Sequence, residues 1–351
     1  MNDHVANGET MAPTQRDRGV RLRGGAAVPL LLLLLLLPLL AVPGHAEARQ
    51  RPIELHSPRE VERGVPFKVH LWPAEGVEAL STALLRANGD EVTASGGYLT
   101  RVMRDVPVWV SLLGVPSTLA PGDYRLQVGV TYSDGGTQTF ERDIEVTPRD
   151  FASMRIALNQ AMSDLRETAD PRRVQQAREM IALVARYNDS AIYNEGSFIV
   201  PVEDARISAG FGDRRVFDYA DGAEAQSIHF GIDLAAPTGT PVFASGAGRV
   251  AFAADRIITG YTVVIEHLPG VFGLYYHLDR LDVQQGDLVR RGQQIGTVGM
   301  TGLATGPHLH WEFRVGGVPV DPAAFVGGPL VDKGLIFRRI GTTKAAETER
   351  G

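Results

Sequence analysis

The polar and apolar residues between positions 51 and 148 alternate with the two-residue period of β-strands. In the stretch DYRLQVGVTY, one face of the predicted strand carries Tyr124, Leu126, Val128 and Val130. The sequence SDGG at 133–136 predicts a tight turn, after which the chain returns in a second strand. Several short strands in this segment predict an N-terminal immunoglobulin-like β-sandwich at residues 51–148.

The hydrophobic period becomes helical between residues 151 and 193. Leu158, Met162 and Leu165 recur at helical spacing. Asp170 and Pro171 are typical of the N-cap and the first position of a second helix. The predicted buried stripe of that helix consists of Val174, Ala177, Ile181 and Val184. We therefore predict a short helical linker that acts as a spacer between two β domains.

The rest of the chain divides into a second β domain and a polar end. Residues 194–327 are rich in glycine and in short β patterns. Residues 328–351 finish in the polar run TTKAAETERG and are predicted to form a C-terminal tail that frays. The fold class predicted for the whole chain is mainly β.

The N-terminal segment has the three parts of a secretory signal peptide. Arginines precede the apolar run VPLLLLLLLLPLLAV at 28–42, and the small-residue sequence AEA follows at 46–48. The run is shorter than the ~20 residues of a membrane-spanning helix, so a cleaved signal peptide at residues 1–48 is favoured over a retained anchor. We expect an exported protein of the periplasm or cell envelope, with Met1 and Met11 both open as the start.

Composition excludes several classes of function. Of the 351 residues, 44% are hydrophobic and 22% are charged, which is typical of a globular protein. The net charge of −6 gives no electrostatic reason to expect a nucleic-acid partner. The absence of cysteine excludes disulfides, thiolate metal sites and cysteine nucleophiles.

Candidate chemistry is concentrated in the histidines of the second β domain. In TGPHLHWEF, at 305–313, strand alternation directs Leu309, Trp311 and Phe313 towards a core. The same alternation places His308 and His310 together on the opposite face. Two histidines on one strand face can reach a single small site, and the alternation by itself does not say which of them would bind a metal.

A second group of donors lies in the sequence HFGID. His229 and Asp233 would be roughly 13 Å apart on an ideal strand, but Gly231 between them permits a bend. His229, Asp233 and one of the paired histidines make a His₂Asp set. That set has the ligand number and types of a catalytic zinc site, which uses three protein ligands and leaves one position open.

These motifs together resemble the lysostaphin/LytM-type zinc metallopeptidases, which cut peptide cross-links of bacterial peptidoglycan. The resemblance covers Phe198 to Pro322 and includes HFGID, YYHL, GPHLHWEF and the flanking ISAGFGDRR. It implies an antiparallel β peptidase domain with a groove, and one zinc ion per chain. By this resemblance the zinc ligands are His229, Asp233 and His310, and the unligated catalytic residues are His277 and His308. The preceding segments resemble, more loosely, exported members of that family with an immunoglobulin-like domain.

Some positions depart from the family pattern or carry two interpretations. Some members have a tyrosine six residues before the first ligand, where this chain has Ala223. Arg214 and Arg215 are predicted to lie in a solvated turn, with binding of substrate carboxylates as the alternative. Glu312 is predicted to be solvated, with orientation of His310 as the alternative.

Two other functions compete with peptidase activity. A LytM-like regulatory module would bind and activate other cell-wall hydrolases, but such modules have usually lost metal ligands that are all present here. The stretch VQQGDLVRRGQQIGTVG is similar to biotinyl and lipoyl carrier domains, which need a lysine, and residues 194–326 contain none.

The predicted function is therefore an exported zinc metalloendopeptidase that acts on peptidoglycan stem-peptide cross-links. A D-alanyl bond to a diamino acid is preferred over glycine bridges. A regulatory partner in the cell envelope and the oligomeric state stay open.

Overall fold

The computed structural model describes the backbone of residues 53–348 and the side chains of residues 53–341. The predicted signal peptide at 1–48 lies outside the described residues. Within residues 53–348, no helix is both long enough and apolar enough to cross a membrane.

The first half of the described chain forms one eight-stranded sheet. Its strands are β1 (Glu54–His56), β2 (Glu60–Glu62), β3 (Phe67–Trp72), β4 (Val77–Leu85), β5 (Glu91–Val102), β6 (Val106–Leu113), β7 (Gly122–Tyr132) and β8 (Thr137–Thr147). They are ordered β1-β3-β6-β5-β4-β7-β8-β2. Strand β5 pairs with β4 up to Gly96 and with β6 from Gly97 onward. A Cβ on Gly97 would lie 2.6 Å from the Leu80 side chain, so close packing requires glycine where β5 changes partners.

The predicted inner face of β7 is confirmed. Tyr124, Leu126, Val128 and Val130 are all buried in one cluster with residues of β3, β4, β6 and β8. Because one cluster collects side chains from strands far apart in the sheet order, the sheet is folded over its own core. The immunoglobulin-like character of this unit stays a prediction.

The segment predicted as a helical spacer contains a strand and two helices. They are β9 (Ser153–Ala157), α1 (Gln160–Glu167) and α2 (Pro171–Val184). Asp170 caps α2 as predicted, because its side chain accepts a hydrogen bond from the Arg172 amide. Strand β9 was not predicted, since it is only five residues long and its parallel partner, residues 214–218, lies about sixty residues further along.

The second half contains twelve strands. They are β10 (Arg206–Ala209), β11 (Arg214–Asp218), β12 (Glu224–Ile228), β13 (Gly231–Ala235), β14 (Pro241–Phe243), β15 (Gly248–Arg256), β16 (Gly260–Leu268), β17 (Val271–Leu281), β18 (Leu288–Val289), β19 (Gln294–Val298), β20 (His308–Val315) and β21 (Val318–Val320). The main sheet has the path β10-β13-β20-β17-β16-β15-β18, with β14, β19 and β21 attached. A separate small sheet has the order β12-β11-β9.

One large hydrophobic core joins the two halves of the chain. It contains Tyr98 and Val110 from the first sheet together with Phe313 and Val315 from β20. Polar contacts cross the same junction, where Arg149 Nη2 lies 2.6 Å from an Asp321 carboxylate oxygen. The first sheet is therefore packed firmly against the main sheet.

The segment predicted as a fraying tail contains a helix, α3 (Lys333–Thr348). Ile336 and Ile340 are buried in the core shared by both halves. Lys333 Nζ lies 2.6 Å from Glu195 Oε2. The prediction of a fraying tail was wrong for the start of this segment. It rested on the polar run at the end of the sequence and overlooked Ile336 and Ile340, which pack the start of the helix into the core.

Candidate active site

The three side chains predicted as metal ligands converge on one point. Among the described residues, His229, Asp233 and His310 form the one group of three or more potential metal-binding side chains, and their donor atoms lie within 4.8 Å of one another. Asp233 Oδ1 is 2.9 Å from His229 Nε2 and 2.9 Å from His310 Nδ1. The two histidine nitrogens are also 2.9 Å apart.

Sheet register explains why residues distant in sequence meet here. Asp233 on β13 stands directly opposite His310 on β20, so their side chains share one face. His229 joins them because the chain leaves β12 at Ile228 and enters β13 only at Gly231, so it does not follow an ideal strand. A Cβ on Gly231 would lie 2.4 Å from the Trp311 carbonyl oxygen and 2.7 Å from His310 Nε2, so this approach requires glycine.

Surrounding groups fix the orientation of each predicted ligand. The Nδ1 atom of His229 is 2.6 Å from the Gly210 carbonyl oxygen, which makes it the donor and leaves Nε2 as the free lone-pair atom. Arg215 Nη2 donates to Asp233 Oδ2 at 2.6 Å. His310 packs flat against the ring of Tyr276, with 5.2 Å between centroids.

Glu312 and Arg215 correct two predictions. Glu312 is 2% exposed rather than solvated, and its Oε2 lies 3.6 Å from His310 Nε2. Arg215 belongs to β11 rather than to a solvated turn, and its side chain is 15% exposed. Arg214 also lies on β11, where it donates to the Ser117 carbonyl oxygen at 2.9 Å. Alternation could not reveal these environments, because the covering residues come from distant parts of the chain.

The buried setting shifts the pKa values of the predicted ligands. Burial opposes ionisation of Asp233, but the neighbouring His229 and His310 outweigh it and hold its pKa well below the usual range. Burial lowers the pKa of His229 despite the nearby Asp233. Burial also acts to lower the pKa of His310, but its contacts with Asp233 and Glu312 raise it overall. The carboxylate of this site is thus ionised and ready to coordinate a cation.

His277 and His308, predicted as the unligated catalytic residues, lie side by side next to this cluster. Their ring centroids are 4.9 Å apart. His277 Nδ1 is 2.8 Å from the Thr301 carbonyl oxygen, and His308 Nδ1 is 2.8 Å from that of Gly306. Each carbonyl requires Nδ1–H as the donor, which leaves Nε2 of each ring able to accept a proton.

His277 combines backbone strain with a strongly shifted pKa. Its φ of 61° lies in the left-handed region, which non-glycine residues seldom adopt and which clusters at functional sites. Burial, reinforced by His308 and His310, lowers its pKa to about 3. His277 is therefore neutral at physiological pH.

The site opens into a cavity of about 440 Å³. Its polar floor comes from β13 and β20, and one of its walls is apolar. That wall includes Met154 and Ile156 of β9, and Ala177, Met180 and Ile181 of α2. The predicted spacer role is thus incomplete, because this segment builds part of the groove. Gln176 anchors α2, since its Oε1 accepts a hydrogen bond of 3.0 Å from the Ile257 amide.

The stripe predicted for α2 was only partly correct. Val184 is buried, but Ile181 is 38% exposed at the cavity. The most buried residues of α2 also include Met180 and Leu183, which were not in the predicted stripe. The helix is rotated because it packs against the main sheet and borders the groove at the same time.

Tyr219 and His267 lie outside the metal cluster. The Tyr219 hydroxyl accepts a hydrogen bond of 2.9 Å from Arg166 Nε, and the Tyr219 amide donates to the Ala223 carbonyl oxygen in the turn between β11 and β12. His267 is fully buried and its Nδ1 lies 2.7 Å from the Ala247 carbonyl oxygen. Trp311 is buried in the core, as predicted, and Tyr275 is buried there as well.

The donor set fits a divalent transition metal. Two imidazole nitrogens and one carboxylate are hard-to-intermediate ligands that suit zinc. Zinc bonds of about 2.0–2.2 Å in a tetrahedron separate ligand atoms by roughly 3.3–3.6 Å. The observed separations of 2.9 Å need only a small outward movement to reach that arrangement.

Sequence comparison gives the family of this site. The family described as Peptidase family M23 matches residues 227–322, which include all five histidine and aspartate residues of the cluster and its neighbours. Residues 227–322 of this chain therefore form a peptidase M23 domain. M23 is a metallopeptidase family, so the residues that converge in the structure lie within a domain of metal-dependent peptidases.

Two curated relatives are similar to the M23 domain. The DD-carboxypeptidase/endopeptidase Mpg of Neisseria meningitidis serogroup B is 43% identical over 134 residues, which cover 38% of this chain and 30% of that protein. The peptidoglycan DD-endopeptidase ShyC of Vibrio cholerae is 40% identical over 122 residues, which cover 35% of this chain and 28% of that protein. The match thus spans about three tenths of the length of these relatives.

One solved structure resembles more of the chain. A protein from Pseudomonas aeruginosa assigned to peptidase M23 is 26% identical, with a TM-score of 0.52. The alignment covers 76% of this chain and 95% of that one. The mainly β architecture predicted from the sequence is therefore confirmed, and it extends beyond the matched family segment.

Proposed function

We propose that this M23 protein is a zinc-dependent endopeptidase that hydrolyses peptide cross-links of bacterial peptidoglycan. The observation that carries the proposal is the convergence of His229, Asp233 and His310 within 4.8 Å, in a domain of this family. Two further histidines, His277 and His308, stand beside this set with Nε2 available. The complete ligand set and the acid–base pair favour catalysis.

The proposed roles follow from donor geometry. His229, Asp233 and His310 would hold one zinc ion per chain. When bound there, zinc supplies Lewis-acid polarisation of a carbonyl group and lowers the pKa of coordinated water. His277 and His308 form the pair that accepts a proton from the attacking water and delivers one to the leaving amine, or donates to the developing oxyanion. Arg215 and Gly210 hold Asp233 and His229 in position.

The proposed scissile bond joins D-alanine to a diamino acid of a neighbouring stem peptide. The names of Mpg and ShyC, which include DD-endopeptidase activity, support this choice for the segment that they share with this chain. The proposed location is the periplasm or cell envelope. The basic, apolar and small-residue pattern of residues 1–48 supports it.

The alternative is a regulatory module that binds and activates other cell-wall hydrolases. Nothing in the site favours it, because all three predicted ligands and both neighbouring histidines are present and brought together. A partner that controls access to the groove stays compatible with an active enzyme.

Digestion of defined muropeptides tests this proposal and identifies the bond. Protein containing residues 47–351 is loaded with zinc and mixed with cross-linked muropeptides, and the products are weighed by mass spectrometry. We expect monomeric products that end at D-alanine, and none after treatment with a chelator. Intact cross-links in the presence of zinc-loaded protein would contradict the endopeptidase proposal.

A further inference from the structure

The groove beside the candidate active site carries an excess of positive charge. Its lining includes five arginines, Arg173, Arg206, Arg215, Arg256 and Arg314. The same lining contains only two carboxylates, those of Asp233 and Glu312. The lining therefore carries more guanidinium groups than carboxylates, before any bound metal adds further positive charge.

Four of the five guanidinium groups are engaged by the protein. Arg215 pairs with Asp233, and Arg314 contacts Glu312. Arg256 donates to the Gln176 carbonyl oxygen at 2.7 Å, which holds α2 on the hairpin of β15 and β16. Arg173 donates to two carbonyl oxygens, those of Leu165 and Thr168, at 3.0 and 2.8 Å. These four side chains shape the groove and its walls.

Arg206 is different, because its exposed side chain has no hydrogen bond or ion pair with any residue that the structure describes. It lies on β10, the edge strand of the main sheet, and it lines the cavity. A long cation that borders a groove without a protein partner is free to bind an anion from solution.

Sheet register places Arg206 on the same face of the main sheet as the candidate active site. Arg206 pairs directly with Ala235 on β13, and Ala235 pairs directly with His308 on β20. Residues paired in this way point to the same face, so the three side chains form one row across the groove floor. The methyl group of Ala235 leaves the space between the two larger side chains open.

The length of this row determines how far from the scissile peptide bond a substrate group must lie to reach the Arg206 guanidinium. Neighbouring strands are about 4.8 Å apart, so the backbones of Arg206 and His308 are separated by roughly 10 Å. An extended peptide advances about 3.3 Å per residue, so that span corresponds to roughly three residues. A peptide bond placed at His308 would thus bring a group two or three residues away within reach of the guanidinium.

We propose that Arg206 is a specificity-determining residue that binds a free carboxylate of the substrate peptide, two or three residues from the scissile bond. This inference rests on the proposed peptidase function and narrows its substrate class. It selects cross-links between peptides that carry free carboxylates and disfavours uncharged bridges such as oligoglycine. Recognition uses the planar guanidinium, which binds carboxylates through two parallel hydrogen bonds.

The test uses two synthetic cross-linked peptides that are identical except that one has free carboxylates and the other carboxamides. The zinc-loaded chain is compared with Arg206→Gln, Arg206→Lys and Arg290→Gln. Arg290 is the matched control, because it is exposed, follows β18, has no described side-chain partner and does not line the cavity. We expect Arg206→Gln to lower kcat/KM for the free-carboxylate peptide about tenfold, equivalent to ~1.4 kcal/mol.

The amidated peptide should be cleaved equally by wild type and Arg206→Gln. Arg290→Gln should behave as wild type on both peptides, and Arg206→Lys should lie between wild type and Arg206→Gln on the free-carboxylate peptide. If Arg206→Gln reduced cleavage of both peptides equally, or of neither, the carboxylate assignment would be overturned.

Equilibrium binding separates this inference from the proposed activity. Both peptides are titrated into the zinc-loaded His308→Ala chain, with and without Arg206→Gln. Preference for free carboxylates that disappears with Arg206→Gln supports the inference even if the wild type cleaves neither peptide, in which case only the proposed activity fails. Equal affinity for both peptides in the presence of Arg206 overturns it.

Discussion

Arg215 and Asp233 form an ion pair in which Arg215 Nη2 lies 2.6 Å from Asp233 Oδ2. The other oxygen of this carboxylate, Oδ1, is the one that lies 2.9 Å from His229 and His310. The two oxygens of Asp233 therefore have different partners. Oδ2 is held by Arg215 on β11, and Oδ1 faces the proposed metal position.

Replacing Arg215 should weaken metal binding. In Arg215→Gln the Asp233 carboxylate loses the contact that fixes its orientation, and changes of this kind typically cost about 10–100-fold in metal affinity. Competition with a fluorescent zinc chelator measures the change. The adjacent Arg214→Gln is the control, because its guanidinium reaches the Ser117 carbonyl oxygen instead of the site. Unchanged affinity in Arg215→Gln would show that the ion pair does not orient the ligand.

The two histidines of the HLH sequence should respond differently to alanine. His310→Ala removes a proposed ligand, so zinc should be lost. His308→Ala should retain zinc while turnover falls by about 10²–10⁴, the usual contribution of general acid–base catalysis. Metal analysis and cleavage assays on the same preparations check both outcomes. Loss of zinc from His308→Ala, with retention in His310→Ala, would reverse the assignment.

His267 should make the folded state sensitive to acid. Its complete burial lowers its pKa from 6.5 to about 4, so the unfolded chain binds a proton more readily than the folded one. The stability that comes from keeping this ring neutral is fully present above pH 6.5. It is lost as the pH falls from 6.5 towards 4, by at most about 3 kcal/mol.

Urea unfolding between pH 7.5 and 4.5 measures this effect against His267→Asn. The amide of asparagine can replace the Nδ1–H donor to the Ala247 carbonyl oxygen without titrating. We expect the stability advantage of the wild type over the variant to shrink as the pH falls. Parallel pH profiles for the two proteins would rule out His267 as the source.

Local alternation was enough to predict the two faces of TGPHLHWEF. Leu309, Trp311 and Phe313 are buried as predicted, because a strand alternates independently of what covers it. The environments of Arg215 and Glu312 could not be predicted in this way. Their environments depend on residues of neighbouring strands, and local alternation does not determine which strands become neighbours.

The groove wall shows the same limit at a larger scale. Helical period and the Asp170 cap predicted α2 correctly, but not that Met180 and Ile181 would line the groove beside the candidate active site. The pairing of β9 with β11 places that wall, and it depends on a parallel contact between distant segments. Long-range pairing of this kind is decided by the whole fold.

Removing residues before 194 should therefore destabilise the half of the protein that contains the M23 domain. A chain of residues 194–351 would lose the β9 and α2 wall and would expose core residues such as Phe313 and Ile336, which now share a cluster with Tyr98 and Val110. We expect a lower melting temperature, aggregation and reduced cleavage relative to residues 47–351. A stable fragment with higher activity would instead show that the N-terminal segments block the groove.

Cleavage of a defined cross-linked muropeptide, measured with zinc content on the same sample, tests the central claim most directly. The account predicts about one zinc per chain, as a three-ligand catalytic site requires, and cleavage that disappears together with zinc in His310→Ala. Full cleavage by a metal-free His310→Ala chain, or none by the zinc-loaded wild type, would contradict it.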